Sequence, residues 1–255
     1  MAMAENQHTE EEFIFDKKMV CVVCDKPFTT KVLKSNRARR IGSDADLRPR
    51  FEHIDTIKYG ICSCPHCGYS AMHSAFSHVV SRQINNIKEQ VCSHFLPEDR
   101  SDWTSYTYDQ ALRMHELALQ CAEAKLAKSG EKSYIHLLMA WLYREKEAQA
   151  EHITVDDLRE MERKTCHEQA EEHYLAAFEG FQQAMMHEML PIAGLNQPTL
   201  EYILAYMAFH FGKLEVSAKL ISSVLTTSAA SRNVKDRALE LKDQIIRQIK
   251  EKKKA

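Results

Sequence analysis

The chain has 255 residues, with 34 basic and 36 acidic side chains and a formal charge of −2, so it lacks the global positive charge of a nucleic-acid binder. Its 44% hydrophobic content is enough to bury one large core or two modest ones, yet the longest apolar run, HLLMAWLY at 136–143, falls far short of the roughly 20 residues that span a bilayer. The seven glycines are scattered and form no Walker A loop, G-x-G-x-x-G or G-x-S-x-G elbow, which removes the common nucleotide-dependent and hydrolytic chemistries.

In chain order, residues 1–12 form a polar, acidic tail, MAMAENQHTEEE. It has no basic n-region or apolar h-region, so no secretory signal is read there and a cytoplasmic protein is expected. Residues 13–80 read as a small β domain. FIF, MVCVVC, KPFTTKVL and RFEHIDTIKYGIC are rich in β-branched and aromatic residues and partly alternate. Residues 81–101 supply a connecting helix and a linker, LPEDRSDW at 96–103, with Asp102 or Thr104 as a cap for the next helix.

From 102 to 249 the period becomes helical. Tyr108, Leu112, His115, Leu119, Ala122 and Leu126 share one face of a helix. After a break at Ser129-Gly130, Tyr134, Leu138, Trp141 and Leu142 share another, and Tyr174, Phe178, Phe181 and Met185 a third. QPTLEYILAYMAFHF, LEVSAKLISSVL and VKDRALELKDQIIRQI predict three more helices, and 250–255 is a solvated basic tail. In AYMAFHFGKLEVSAKLISSVL (205–225), Gly212 sits where a tight turn is needed and Ser217 where two helices approach closely. That spacing resembles a tetratricopeptide repeat, whose helix pairs bury their faces by stacking on neighbours. The match is loose because EHITVDDLREMERKT (151–165) intervenes, and an irregular helical bundle is the alternative. The fold class expected is therefore α+β and multidomain: a small N-terminal β domain followed by an all-α, tetratricopeptide-like array.

The chemistry concentrates in ICSCPHCGYS, 61–70. Cys64-Pro-His-Cys67 alone admits three readings: half a metal site, a redox pair, or a nucleophile with its base. Some forty residues upstream, Cys21-Val-Val-Cys24 repeats the C-x-x-C spacing. Two such pairs place four thiolates around one ion, the donor set of a structural Zn²⁺ site with no open position for catalysis. Gly68 follows the second pair where the chain must double back, and Asp25 takes that place after the first. A redox pair would need a helix starting at the motif, and GYSAMHSAF offers no clean start. The ligands expected are Cys21, Cys24, Cys64 and Cys67, the cofactor one Zn²⁺, and no enzyme activity is expected. Cys62 lies on the Cys64 side of a strand and reads as a small strand residue, with a place near the cluster or an exposed thiol as the alternatives. His66 is an inner loop residue, and Cys92, Cys121 and Cys166 read as small buried hydrophobes on helices.

Between the pairs runs a basic stretch that includes Lys34, Arg37, Arg39, Arg40 and Arg48, interleaved with Phe28, Phe51 and Tyr59. It is either a nucleic-acid footprint or a solvated surface whose charge offsets the thiolates. The run from Cys21 to Ala71, with LLMAWLYRE at 137–145, resembles the bacterial domain-of-unknown-function family numbered 2225. That resemblance implies a zinc ribbon joined to tetratricopeptide-like helices over nearly the whole chain, and it implies no activity. In that family a cysteine is common where this chain has Arg48, and an apolar residue where it has Cys62. The function expected is a zinc-binding module that meets a protein or peptide partner through its helices, away from any membrane. The alternatives are a nucleic-acid adaptor working through the basic ribbon, or a thiol-redox protein using Cys64 and Cys67.

Overall fold

A computed structural model of the chain describes residues 9–252, so the outer parts of both expected tails, 1–8 and 253–255, lie outside the described residues. Small antiparallel β-hairpins come first and a helical region follows. The chain divides into two compact units. One takes the chain up to Gly42, then Pro49–Ala127 and Leu138–Ala170; the other takes Ser43–Arg48, Lys128–Leu137 and the chain from Glu171 onward.

In the first unit, β1 (Ile14–Val20) and β2 (Pro27–Leu33) form a hairpin whose register sets Ile14 opposite Leu33 and Val20 opposite Pro27. β3 (Arg40–Ser43) pairs with β4 (Pro49–Phe51), and β5 (Ile61–Ser63) with β6 (Ser70–Met72), Ser63 facing Ser70. A two-stranded ribbon is marginal by itself in water. Here the first and third hairpins share a core with α1 (Ser81–Gln90) and α2 (Tyr108–Ala124), through Val23, Phe28, Tyr69, Phe76, Ile87 and Leu117. The Tyr69 and Phe76 rings pack tilted at 38° with centroids 4.7 Å apart, and the Tyr69 hydroxyl donates to the Phe76 carbonyl at 2.9 Å.

α2 starts one turn later than Asp102 or Thr104 would allow. Thr107 caps it, accepting from the Gln110 backbone N–H while the Gln110 side chain accepts from the Thr107 N–H. The sequence T-Y-D-Q is a capping box, which outcompetes an isolated cap residue because it satisfies two orphan donors at once. The 96–103 stretch is tied down within the first unit. Glu98 N–H donates to the Pro65 carbonyl at 2.9 Å, and the Arg100 guanidinium bonds both the Ser63 carbonyl and the Glu98 carboxylate. Leu126 leaves the predicted face. It follows the helix end with φ +55 and is 77% exposed, the left-handed position that reverses the chain after a helix.

α3 (Ser129–Gln149) begins at the Ser129-Gly130 pair, so the expected break is a helix start. Its middle, Leu137–Leu142, is buried all round, broader than the single face predicted. α4 (Asp156–His187) is one helix of 32 residues; residues 156–165, expected to interrupt the array, are its first turns. Tyr174, Phe178 and Phe181 on its second half are each 0% exposed.

The second unit ends in α5 (Gln197–His210), α6 (Leu214–Thr226) and α7 (Arg232–Lys252). Gly212 turns the chain between α5 and α6 at φ +68, which glycine adopts without strain. Ser217 is fully buried, its hydroxyl donating to the Ala205 carbonyl at 2.7 Å, so the two helices meet at a small residue as predicted. The segment 43–48 also belongs here. The Tyr202 hydroxyl donates to the Ala45 carbonyl at 2.6 Å, Arg237 to the Ser43 carbonyl at 2.8 Å, and the Tyr174 hydroxyl to the Asp46 carboxylate at 3.4 Å. Arg48 is 2% exposed, which removes it from the basic stretch's exposed surface under either of the two readings, nucleic-acid footprint or solvated surface. Among the described residues, no helix is long and apolar enough to cross a membrane.

Candidate metal centre

Two hairpin ends build the site, and they are near copies of one another. After β1, the Cys21 N–H donates to the Lys26 carbonyl at 3.0 Å and the Asp25 N–H to the Cys21 carbonyl at 2.9 Å. Before β6, the Cys64 N–H donates to the Tyr69 carbonyl and the Gly68 N–H to the Cys64 carbonyl, both at 2.9 Å. Each loop closes on a left-handed residue, Asp25 at φ +58 and Gly68 at φ +76. Asp25 does the glycine's work because its short polar side chain tolerates that region better than most.

These loops bring Cys21, Cys24, Cys64 and Cys67 together, with all four sulfurs within 4.8 Å of one another. Cys21 Sγ lies 3.7 Å from Cys67 Sγ, and Cys24 Sγ 3.7 Å from Cys64 Sγ. A disulfide would need about 2.05 Å. Four sulfurs at tetrahedral angles, each roughly 2.3 Å from a central ion, stand about 3.8 Å apart. The observed spacing therefore fits a tetrathiolate metal site, and all eight cysteines are free of disulfides. Cys21 and Cys64 are fully buried, Cys67 nearly so, and Cys24 half-buried. Among themselves the thiols polarise. The Cys21 and Cys67 thiols hold the Cys64 thiol well below its ordinary range, the Cys64 contact pushes Cys21 up to about 12, and contacts with Cys21 and then Cys64 push Cys67 up.

The other thiols sort by burial. Cys62 is 0% exposed, its thiol 3.7 Å from the Met19 sulfur, and burial pushes it up to about 12; it is a core residue, neither exposed nor among the four. Cys121 is buried on α2 and accepts from the Ser70 N–H at 3.4 Å, and Cys166 is buried on α4. Cys92 departs from expectation. It sits in a 3-10 turn, Cys92–His94, beyond the end of α1, is half-exposed, and packs against the core that holds the four cysteines. Only the fold-back of that turn onto the second loop makes the contact, so no local pattern announces it. His66 does not join the sulfurs; its Nε2 lies 3.0 Å from the Pro27 carbonyl and ties one loop to the base of the other hairpin.

The basic stretch between the pairs disperses. Lys31 pairs with Asp16 at 2.7 Å and Arg50 with Glu145 at 2.5 Å. Lys34 donates to the Glu12 carbonyl at 3.0 Å, capping the 3-10 turn there, and Arg40 Nε to the Gly42 carbonyl at 3.3 Å. Arg39 lies 3.8 Å from Glu52 while remaining exposed. Arg37 and Arg39 border a cavity of about 320 Å³ with Phe13 and His53, and that cavity also holds the Glu12 and Glu52 carboxylates.

Two histidine arrangements escaped the sequence. His136 and His173 meet across α3 and α4 with Nδ1 atoms 2.9 Å apart, and burial drives His136 down to about 4 and His173 down as well. His115 is completely buried on α2. Its Nδ1–H donates to the Ala111 carbonyl at 2.7 Å, while Nε2 has no hydrogen-bond partner among the described residues. Histidines spaced along separate helices carry no signal for such meetings.

A family profile described as "uncharacterized protein conserved in bacteria (DUF2225)" matches residues 14–245. Neither a curated protein nor a solved structure matches the chain.

Proposed function

The chain belongs to the DUF2225 family of bacterial proteins, and from that premise we propose that it is a non-enzymatic, zinc-binding interaction protein of the cytoplasm. One structural Zn²⁺ is held by Cys21, Cys24, Cys64 and Cys67, and the helices offer a surface to a protein or peptide partner. The observation that carries this reading is the 3.7 Å spacing of sulfurs drawn from two near-identical loops. Zn²⁺ suits four thiolates, and four protein ligands leave no position for substrate. Zinc bound this way contributes roughly 10–16 kcal/mol of apparent free energy to small modules, which these short two-stranded sheets would use. The α5–Gly212–α6 hairpin, closed on buried Ser217, supports a tetratricopeptide-like helical surface. Cys64 and Cys67 share their contacts with Cys21 and Cys24, which favours the metal over a self-contained redox pair.

Metal analysis of the native protein tests this, with about one zinc per chain expected. Cys21→Ser should lose the metal and the near-ultraviolet signal of the Tyr69 and Phe76 core. Wild-type metal content in Cys21→Ser would refute the ligand set. Loss of zinc by chelation without loss of that aromatic signal would refute its structural role.

A further inference from the structure

Four thiols lie outside the candidate metal centre. Cys62, Cys121 and Cys166 are buried, at 0%, 1% and 1% exposure; Cys92 alone is half-exposed. It packs against the core that contains Cys67, on a turn folded back onto the Cys64–Gly68 loop. Two further contacts hold its turn in place. The Phe95 ring lies directly over Gly68, next to Cys67 in the chain, and the Glu98 N–H donates to the Pro65 carbonyl at 2.9 Å. A solvent-reachable thiol is thus fixed beside a sulfur that zinc would keep as a thiolate, the nucleophilic form of cysteine.

We propose that Cys92 is a peroxide-sensing thiol that withdraws Cys67 from the metal by forming a disulfide with it, a role resting on the zinc reading above. In the first step the Cys92 thiol reacts with a hydroperoxide. The O–O bond breaks, sulfur gains the hydroxyl as sulfenic acid, and water leaves when the oxidant is hydrogen peroxide. In the second, the Cys67 thiolate attacks the Cys92 sulfur, an S–S bond forms, and hydroxide leaves. The two sulfurs lose two electrons and the peroxide gains two, so no other oxidant is needed. Zinc is left with Cys21, Cys24 and Cys64 and passes to a competing ligand. A dithiol reductant restores both thiols and the site.

The test uses the full chain, wild type and Cys92→Ser, purified with zinc under reducing conditions and then exposed to hydrogen peroxide. A chromogenic chelator reads released zinc, and peptide mass mapping reads the disulfide. Before oxidation both proteins should carry equal zinc, since Cys92 is not a ligand. The wild type should then release its zinc with a Cys67–Cys92 disulfide, reversed by dithiothreitol, and Cys92→Ser should release it at least about tenfold more slowly. Equal release rates, or a disulfide that joins two of the four ligands instead, would overturn the role of Cys92. If neither protein carries zinc, the metal reading fails by itself, and the disulfide map then decides alone whether Cys92 and Cys67 form the reactive pair.

Discussion

Replacing Gly68 by alanine probes the hinge of the metal centre at a single methyl group. Two independent penalties meet there. Gly68 has φ +76, a region that costs an L-residue about 1–2 kcal/mol. An added Cβ would also stand 2.5 Å from Phe95 Cδ2, 2.6 Å from Cγ and 3.0 Å from Cβ. The closest of these are ring atoms, with the Phe95 Cβ beside them, so the turn carrying Phe95 must shift, at a typical overpacking cost of about 1–3 kcal/mol. Together they predict a loss of about 2–5 kcal/mol. At roughly 2–4 °C per kcal/mol for a unit of this size, the unfolding midpoint should fall by about 4–20 °C.

The other loop is the control. Asp25 occupies the equivalent left-handed position at φ +58, so Asp25→Gly should be neutral or stabilising by a few tenths of a kcal/mol, and Asp25→Ala should cost only about 1 kcal/mol. Adding Phe95→Ala to Gly68→Ala removes the clash but not the strain. In a double-mutant cycle the pair should therefore couple by about 1–3 kcal/mol. Thermal unfolding followed by near-ultraviolet circular dichroism, with zinc retention against a chelator, measures each variant. A Gly68→Ala protein with wild-type midpoint and zinc affinity would show that the second loop does not close as described.

The helices supply three more expected outcomes. His115 is fully buried and held near 4, below its ordinary 6.5, so the unfolded chain takes up a proton first. The stability that goes with its neutral burial is intact above pH 6.5 and falls by about 3 kcal/mol as pH drops to 4; His115→Leu should remove about one proton from the pH dependence of acid unfolding, and an unchanged slope would contradict its burial. Ser217→Val, at the contact of α5 with α6, should destabilise by about 1–3 kcal/mol, against about 1 for Ser217→Ala, as read by urea unfolding. Gly130 meets both Ile192 and Glu188, with an alanine Cβ 2.3 Å from the Ile192 methyl and 2.9 Å from the carboxylate oxygen; Gly130→Ala should cost about 1–3 kcal/mol, and a thermally silent substitution would mean that the α3 start packs more loosely than described.

The four cysteines could be read from the chain because C-x-x-C spacing is local. A loop of two intervening residues closed by a left-handed position has few geometries, and one pair predicts a partner pair. The Gly212 turn and the small Ser217 were legible for the same reason, and so was the change from strand to helix near residue 81. Where the reading missed, longer-range competition decided. A capping box at Thr107 displaced the cap expected at Asp102 or Thr104. The polar run 151–165 was assigned to a break, yet most of it extends α4, since polar surface alone does not end a helix. Arg48 sits in a basic stretch but is buried in the second unit with Asp46. By itself the sequence determined which four cysteines come together and the order of the elements. Only the tertiary structure decided that Cys92 packs against the core holding Cys67 and that His136 meets His173, because those contacts join segments whose sequences carry no trace of one another.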